Sequence, residues 1–274
     1  MKIHRFFLAS LVAVALLGDG CTSNAPPITL GGQPLAEVAV PAWSDVGDGA
    51  RRYEASYGEL SSKGVLRLYK FPATGWEWSF EQSTSGATVL DWAEKLPEVS
   101  VLINGVYFHE DNLPSGAFVS HGDRIGTRSF DADKSALIVL APRLRIADLT
   151  KEPNALDHAT EAAQTFPYLI KDGTASVGED SGKLAERSFV GTDTDGAFYV
   201  GIAVNVSLSL YELSQLLATQ PIHWQDVVNL DGGPSTGIYT NLPKENRSRN
   251  SLAPVSNVLV GRVTSSASQT SPSP

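Results

Sequence analysis

The chain has 274 residues, a single cysteine and a net charge of −9. One cysteine excludes a fold held by internal disulfides, so stability has to come from a hydrophobic core, for which this length suffices. The acidic surface repels nucleic acid and anionic lipid, which excludes a DNA-binding protein. An anionic substrate would need local basic residues to hold it.

The N-terminus has the pattern of an export signal. Lys2 and Arg5 precede an apolar run from Phe6 to Leu17 that is too short to span a bilayer. This predicts a signal peptide over residues 1–20. Cys21 directly follows and predicts lipid attachment at that residue, with plain secretion as the alternative. We therefore expect a protein of the bacterial periplasm or outer membrane that contacts the membrane through its lipid anchor only.

The composition of both ends predicts that they lie outside the folded domain. Residues 21–40 are small, proline-bearing and nearly uncharged, which predicts a lipid-anchored tether. Residues 264–274, TSSASQTSPSP, offer no side chain for a core and predict a disordered tail. Because no hydrophilic linker or repeat divides the rest, residues 41–263 are predicted to form one domain.

Within this domain, short β-rich runs alternate with Gly, Pro, Asp and Ser clusters. They predict strands at 65–71, 99–105, 135–141, 198–204, 226–230, 236–240 and 256–263. Helical spacing predicts a helix at 88–96 and another at 209–218, where Ser209 and Glu212 form a capping-box pattern. Many strands with few helices predict an α+β fold, a single domain with a large mixed β-sheet and a few packed helices.

The segment VVNLDGGPSTG at 227–237 contains the most informative motif. An Asp-Gly pair between two apolar runs is typical of a hairpin turn. The same segment contains G-x-S-x-G, the nucleophile motif of α/β-hydrolases, but no helix is predicted after it and no His or Asp follows Ser235. A third interpretation of this segment depends on its resemblance to the motif of a known family.

Residues 229–236, NLDGGPST, resemble the N-L-D-G-G-G-S signature of the phosphodiester glycosidase family. Three further segments resemble family motifs in the same order. They are VLINGVYF at 101–108 with Pro114 and Gly116 following, QTFPYLIKDG at 164–173, and RSFVG at 187–191 with an Asp-Gly turn at 195–196. The resemblance covers about residues 99–263. Four positions depart from it: Val106 for glycine, Tyr107 for phenylalanine, Ser188 for threonine, and Pro234 for glycine.

The resemblance implies cleavage of a sugar–phosphate diester at the anomeric carbon. Arg187 would hold the phosphate, because a guanidinium is always charged and offers paired donors. Asp231 would stabilise the anomeric centre, attack it or deprotonate water. Asn104 would bind sugar hydroxyls or orient Asp231. The residue types alone also allow a surface arginine, an acid that bonds its own turn, and an Asn-Gly turn.

The remaining site residues implied by the resemblance are substrate contacts. Gly232 and Gly233 would let the backbone approach a ligand closely. Phe108 would stack on a sugar face, as would Tyr107, although aromatic residues beside strands commonly belong to the core. Polar contacts are expected from Gln164, Ser235 and Thr236, and Arg249 is a second candidate cation. Glu110, Asp111 and Asp193 are candidates for a second catalytic acid.

We expect no cofactor and no metal site. The five histidines at 4, 109, 121, 158 and 223 show no zinc spacing. A calcium ion in the loops 192–196 or 109–112 stays open. The expected partner is a carbohydrate phosphodiester resembling an N-acetylglucosamine-1-phosphodiester, or an envelope glycan. Because Val106 and Pro234 depart from the family motifs, a non-catalytic lipoprotein that binds glycan or cell-wall polymer is the alternative function.

Overall fold

The computed structural model describes residues 29–30, 33–34, 42–59, 62–126, 130–141 and 144–264. The predicted signal peptide, Cys21, most of the predicted tether and residues 265–274 lie outside the described residues. An N-terminal unit contains strand β1 (Thr29–Leu30) paired antiparallel with β2 (Gln33–Pro34). The described elements from Ser44 onward belong to a second compact unit.

The elements of the second unit match and extend the predicted ones. Every predicted strand and both predicted helices are confirmed, with shifted boundaries. The helices are α1 (Val89–Lys95) and α2 (Leu210–Ala218). Neither described helix has the length and apolar character needed to cross a bilayer. The strands are β3 (Ser44–Gly47), β4 (Ala50–Glu59), β5 (Ser62–Phe71), β6 (Trp76–Ala87), β7 (Val101–Asn104), β8 (Phe118–Ser120), β9 (Asp123–Ile125), β10 (Ala136–Ala141), β11 (Arg145–Asp148), β12 (Glu161–Thr165), β13 (Tyr168–Lys171), β14 (Thr174–Ala175), β15 (Ala185–Asp193), β16 (Phe198–Leu208), β17 (Trp224–Asn229), β18 (Ile238–Leu242), β19 (Glu245–Arg249) and β20 (Val255–Val263).

These strands form three sheets rather than one large sheet. The eight-stranded sheet has the order β14-β13-β17-β15-β16-β5-β4-β3. The two five-stranded sheets have the orders β19-β18-β7-β20-β6 and β11-β10-β12-β8-β9. Every described strand pair is antiparallel, so the expectation of a mixed sheet is wrong. Parallel pairs need long crossover connections, whereas many neighbours here, such as β4 and β5, follow each other directly along the chain. The fold is richer in β-sheet than the α+β expectation.

One central core receives side chains from all three sheets. The eight-stranded sheet contributes Phe71 and Val190, the second sheet Trp78 and Ile103, and the third Phe118. The helices cover the opposite faces of two sheets. Leu213 and Leu217 of α2 pack with Trp224 and Phe189 of the eight-stranded sheet. Val89 and Trp92 of α1 pack with Leu102 and Val258 of the second sheet.

The candidate site lies where the chain passes from one sheet to another. Strand β17 belongs to the eight-stranded sheet, and β18 pairs with β7 in the second sheet. Residues 230–237 connect β17 to β18. At the end of β7, the Asn104 N–H donates to the Gly237 carbonyl oxygen at 3.2 Å, so this segment lies beside the end of β7. Arg187 and Ser188 lie near the start of β15, which pairs Phe189 with Asn229 of β17. The four predicted motifs therefore meet near one edge of the core.

Two reciprocal hydrogen bonds between Ser209 and Glu212 cap the N-terminus of α2. The Ser209 hydroxyl accepts a hydrogen bond from the Glu212 N–H at 3.1 Å, and the Glu212 carboxylate accepts one from the Ser209 N–H at 2.8 Å. Replacing an N-cap serine by alanine typically costs about 1 kcal/mol. We expect Ser209→Ala to lower the free energy of unfolding by about that amount, measured by urea denaturation. Exposed Ser207 provides the matched control, and an equal loss in Ser207→Ala would contradict the capping role.

Candidate active site

Asp231 is held at the junction between the two sheets. Its N–H donates to the Gly105 carbonyl oxygen at 3.1 Å. Its carboxylate accepts hydrogen bonds from the N–H of Gly232, at 2.9 Å, and from the Ser235 hydroxyl. Burial raises the pKa of Asp231, and these two hydrogen bonds lower it less than burial raises it. The carboxyl group is thus fixed in position but partly exposed, as a group that reacts with a ligand needs to be.

Asn104 positions Asp231 through the backbone. Its amide nitrogen donates to the Asp231 carbonyl oxygen at 2.7 Å. Its amide oxygen accepts from the Ser188 hydroxyl at 2.6 Å and from the Gly237 N–H at 3.2 Å. The side chain is fully buried. Direct contact between Asn104 and a sugar is therefore excluded in this conformation, which leaves the orientation of Asp231 as its role in the site.

Arg187 is a buried cation beside the Asp231 segment. Its Nε donates to the Leu208 carbonyl oxygen at 2.9 Å, and its Nη2 to the Lys183 carbonyl oxygen at 2.6 Å. Among the described residues it has no carboxylate partner, and burial lowers its pKa. A buried charge that has only neutral partners is costly unless an anion approaches it. Arg187 is therefore available to bind an anionic ligand.

Gly232 makes the close approach of Arg187 to the Asp231 segment possible. A Cβ atom at this position would lie 2.9 Å from the Glu186 carbonyl oxygen and 3.8 Å from Arg187 Nη1. Gly233 has a φ of +59°, which an L-residue rarely adopts. The two glycines thus shape the backbone between the acid and the cation. Arg249, the second candidate cation, forms an ion pair with Glu186.

Tyr107 lies near both charged groups. Its hydroxyl oxygen accepts a hydrogen bond from the Asn229 amide at 2.5 Å. Burial and the Asp231 carboxylate raise the pKa of Tyr107 to about 12, although Arg187 and Asn229 act in the opposite direction. Its ring packs on that of Phe166 with 5.0 Å between the centroids, and Phe166 is 37% exposed. Tyr107 is therefore the aromatic residue of the 101–108 segment that faces the site.

Phe108 does not face the site, in contrast to its predicted role in stacking on a sugar. It forms a β-bridge with Pro114 and packs against the core beneath α1, which contains Trp92. Neighbouring residues of an extended segment point to opposite sides, so only one of the two aromatic residues can line the site. The departure of Tyr107 from the family motif was the sequence signal for that residue.

Gln164 also has a structural role instead of the predicted ligand contact. Its amide oxygen accepts from the N–H groups of Ala117, at 3.3 Å, and Phe130, at 3.1 Å. Its amide nitrogen donates to the Phe130 carbonyl oxygen at 2.9 Å and the Ser135 hydroxyl at 2.7 Å. These four bonds leave no donor free for a sugar. Because Phe130 packs edge-on against Phe166 at 4.7 Å, Gln164 supports the aromatic side of the site from behind.

Ser235 and Thr236 differ in their relation to the site. The Ser235 hydroxyl bonds to Asp231. A catalytic serine requires a histidine partner, but among the described residues the histidine with a hydrogen-bonded side chain is His121, which bonds to Glu81. Thr236 is 1% exposed, so its predicted contact with substrate is excluded in this conformation. The Thr236 hydroxyl and the Asn229 amide oxygen are buried without a hydrogen-bond partner in the described part of the chain. Both flank Asp231 in sequence.

The three candidates for a second acid lie elsewhere. Asp193 pairs with Lys70 at 2.8 Å, accepts from the Tyr199 hydroxyl at 2.7 Å, and caps its own turn through the Ala197 N–H. These bonds use the carboxylate that a calcium ion in loop 192–196 would need. Glu110 and Asp111 are exposed, and Asp111 accepts from the Leu113 N–H of its own turn. Among the described residues, no group of three or more His, Cys, Asp or Glu side chains could hold a metal ion.

A cavity of about 1050 Å³ lies away from these residues, lined in part by Trp76, Trp78 and Glu81. Its cationic groups are already paired with acids. His121 lies 3.1 Å from Glu81 and 3.2 Å from Glu161, and Arg262 lies 3.5 Å from Glu81. Glu161 also accepts from two backbone N–H groups. We therefore place the candidate active site at Asp231 and Arg187, because the buried Arg187 has no charged partner among the described residues.

Comparisons with known proteins identify a family and a fold. The model of the phosphodiester glycosidase family matches residues 97–261, which contain every residue of the cluster. A hypothetical protein from Synechocystis aligns with a TM-score of 0.59 at 15% identity, over 83% of this chain and 64% of that chain, so the present chain spans only part of that protein. The catalytic domain of zebrafish N-acetylglucosamine-1-phosphodiester alpha-N-acetylglucosaminidase, auto-inhibited by its pro-peptide, aligns with a TM-score of 0.59 at 13% identity, over 82% and 88% of the two chains. No curated protein sequence matches this chain significantly.

The raised pKa of Asp231 predicts how stability depends on pH. Because the folded protein holds this proton more tightly than the unfolded chain does, ionisation of Asp231 lowers the stability of the wild type as pH rises. Asp231→Asn lacks this penalty. We expect the free energy of unfolding of Asp231→Asn, relative to wild type, to increase as pH rises above the ordinary range for aspartate and then to level off. Urea denaturation at a series of pH values measures it.

Asp133→Asn is the matched control for this experiment, because Asp133 is exposed. Its difference from wild type should stay small at every pH. A difference between Asp231→Asn and wild type that does not change with pH would contradict the inferred burial of the charge.

Proposed function

Because the chain belongs to the phosphodiester glycosidase family, we propose that it hydrolyses the bond between the anomeric carbon of a sugar and the phosphate of a sugar-1-phosphodiester. The observation that carries the proposal is the arrangement of Asp231 and Arg187. A partly exposed acid with a raised pKa directly precedes Gly232, and a buried cation that has no charged partner among the described residues lies beside Gly232. The substrate we propose is N-acetylglucosamine-1-phosphodiester or a close analogue.

Charge develops at two positions when this bond breaks. The anomeric carbon becomes positive, and the departing phosphate carries negative charge. Asp231 is the acidic residue that serves the first position, and Arg187 offers donors to the second. Both groups are fixed by hydrogen bonds to the backbone. Such preorganised charges stabilise a transition state without reorganisation during the reaction.

One carboxylate suffices for this reaction. A phosphate monoester is a better leaving group than an ordinary alcohol, so it needs less help from a general acid than a simple glycoside does. Glu110 and Asp111 lie in an exposed turn, and Asp193 pairs with Lys70. None of these three acids shifts the pKa of Asp231, which supports this view. Asp231 acts at the anomeric centre, and its raised pKa makes it a stronger base than an ordinary aspartate.

A glycan-binding lipoprotein without hydrolytic activity is the second candidate function. Pro234 favours it, because proline removes a backbone N–H that could otherwise bind an anion beside Asp231. Asn104 and Gln164 also keep their amides bonded within the protein. Binding of a sugar phosphate by the wild type without turnover of any diester would select this function.

We also propose that the protein is exported and that a lipid is attached at Cys21. The basic start, the short apolar run and the position of Cys21 support it. Acylation adds about 0.8 kcal/mol of membrane affinity for each buried methylene group. We expect Cys21→Ser to move the protein from the membrane fraction to the soluble fraction of bacteria that express it, as measured by fractionation and immunoblotting. A wild type that is already soluble after export would leave plain secretion as the route.

Activity measurements test the proposed reaction. The full-length protein should release free sugar from the methyl phosphodiester of N-acetylglucosamine 1-phosphate, and Asp231→Asn should abolish this release because the anomeric centre loses its carboxylate. Arg187→Ala should lower kcat/KM roughly 10- to 100-fold, as expected for hydrogen bonds from a charged group to phosphate. Colorimetric detection of the free sugar measures both effects.

Arg124→Ala is the matched control, because Arg124 lies exposed on β9 of the third sheet and pairs with Asp157. This variant should retain wild-type activity. Melting temperatures separate lost activity from lost folding, since Arg187 also bonds two backbone carbonyl groups. Full activity in Asp231→Asn would rule out the proposed mechanism.

A further inference from the structure

The orientation of the Asn229 amide determines what the Tyr107 hydroxyl can do. The Asn229 amide nitrogen lies 2.6 Å from the Leu230 carbonyl oxygen and 2.5 Å from the Tyr107 hydroxyl oxygen. A carbonyl oxygen only accepts hydrogen bonds, so the atom facing Leu230 has to be the NH₂ group. The same group then donates to Tyr107. The phenol oxygen is thereby an acceptor, and its hydrogen bonds to no other described residue.

The Tyr107 hydroxyl is also held in place. Its ring packs on Phe166 at 5.0 Å, and Phe166 packs on Phe130 at 4.7 Å. Asn229, which fixes the oxygen, is fully buried. Both charged groups of the site interact electrostatically with the hydroxyl, because Asp231 raises its pKa and Arg187 lowers it. With a pKa of about 12, Tyr107 keeps its proton at neutral pH. A fixed neutral donor therefore lies near the acid and the cation.

We propose that Tyr107 binds the phosphate of the substrate by donating a hydrogen bond to one of its oxygens, beside Arg187. This assignment rests on the proposed function and names the residue that selects phosphodiesters. Phosphate oxygens only accept, which matches a hydroxyl whose oxygen is engaged and whose hydrogen is free. No proton is transferred, because the departing phosphate oxygen is weakly basic and the phenol retains its hydrogen.

Two departures from the family motif fit together in this assignment. Pro234 removes a backbone N–H that could have faced an anion, and Tyr107 adds a hydroxyl where the motif has phenylalanine. Asp231 and Asn229 lie in the same segment as Pro234, and Tyr107 bonds to Asn229. The chain thus loses one donor and gains another within a single site.

Tyr107→Phe tests the assignment, because it keeps the ring and removes only the hydroxyl. We expect the affinity for N-acetylglucosamine 1-phosphate, measured by calorimetry, to fall roughly 10- to 100-fold. The affinity for free N-acetylglucosamine should not change. The kcat/KM for the methyl phosphodiester should fall by a similar factor. Tyr53→Phe is the matched control, because Tyr53 bonds to Gln220 outside the site, and it should behave like the wild type.

A second variant covers the case in which Tyr107→Phe is unstable. A fluorinated tyrosine at position 107 keeps the shape and the hydrogen bond to Asn229 but has a more acidic phenol. Binding of N-acetylglucosamine 1-phosphate should then be lost at a lower pH than in the wild type, because the ionised phenol is no donor and repels phosphate. A purely structural tyrosine would not shift this pH profile.

The outcomes separate this assignment from the proposed function. Normal wild-type turnover with an unaffected Tyr107→Phe overturns the role of Tyr107 alone. An equal loss of affinity for the free sugar and its 1-phosphate also overturns it, because the hydroxyl would then contact the sugar. A wild type that neither binds the sugar phosphate nor cleaves any diester overturns the proposed function, and the assignment with it.

Discussion

The hydrogen bonds of the Asn104 amide connect the elements that form the site. This one buried side chain bonds to the Asp231 carbonyl oxygen, the Ser188 hydroxyl and the Gly237 N–H. It thereby ties the end of β7 to β15 and to the segment that crosses between two sheets. A buried amide that loses its partners pays a desolvation penalty of about 1–3 kcal/mol per group. The position of Asp231 is therefore as well defined as the core itself.

The charges of the site follow from this rigid frame. Arg187 is buried and, within the part of the chain that the structure describes, bonds only to carbonyl oxygens, so its charge lacks the compensation that a carboxylate would give. Arg249 pairs with Glu186, and the cationic groups at the large cavity, His121 and Arg262, pair with Glu81, so these cations are already compensated. On a chain with a net charge of −9, a local cation is what makes an anionic ligand acceptable. The proposed binding of phosphate would therefore lower this electrostatic cost.

Sequence patterns predicted the strands that are apolar and the helices that are capped, but less of the side-chain geometry. Runs such as 135–141 and the capping box at Ser209 carry local signals. The polar strand β4, with Arg51, Arg52 and Glu54, has no such local signal, and it was not predicted from the sequence. The division into three sheets depends on pairing between strands that are distant in sequence. The motif also suggested Phe108 and Gln164 as ligand contacts. Their packing and their saturated hydrogen bonds depend on neighbours far away in the chain.

The position of Tyr107 shows how a departure from a motif can carry functional information. A motif describes residue types, whereas a ligand meets donors and acceptors, and these depend on what the rest of the protein already uses. Asn229 occupies the phenol oxygen, so the hydroxyl offers only its hydrogen to a ligand. Arg187 likewise has two donors engaged by carbonyl groups and keeps the rest for an anion. The groups that remain free at Tyr107 and Arg187 are hydrogen-bond donors, and the proposed preference for phosphate over a neutral sugar hydroxyl rests on this.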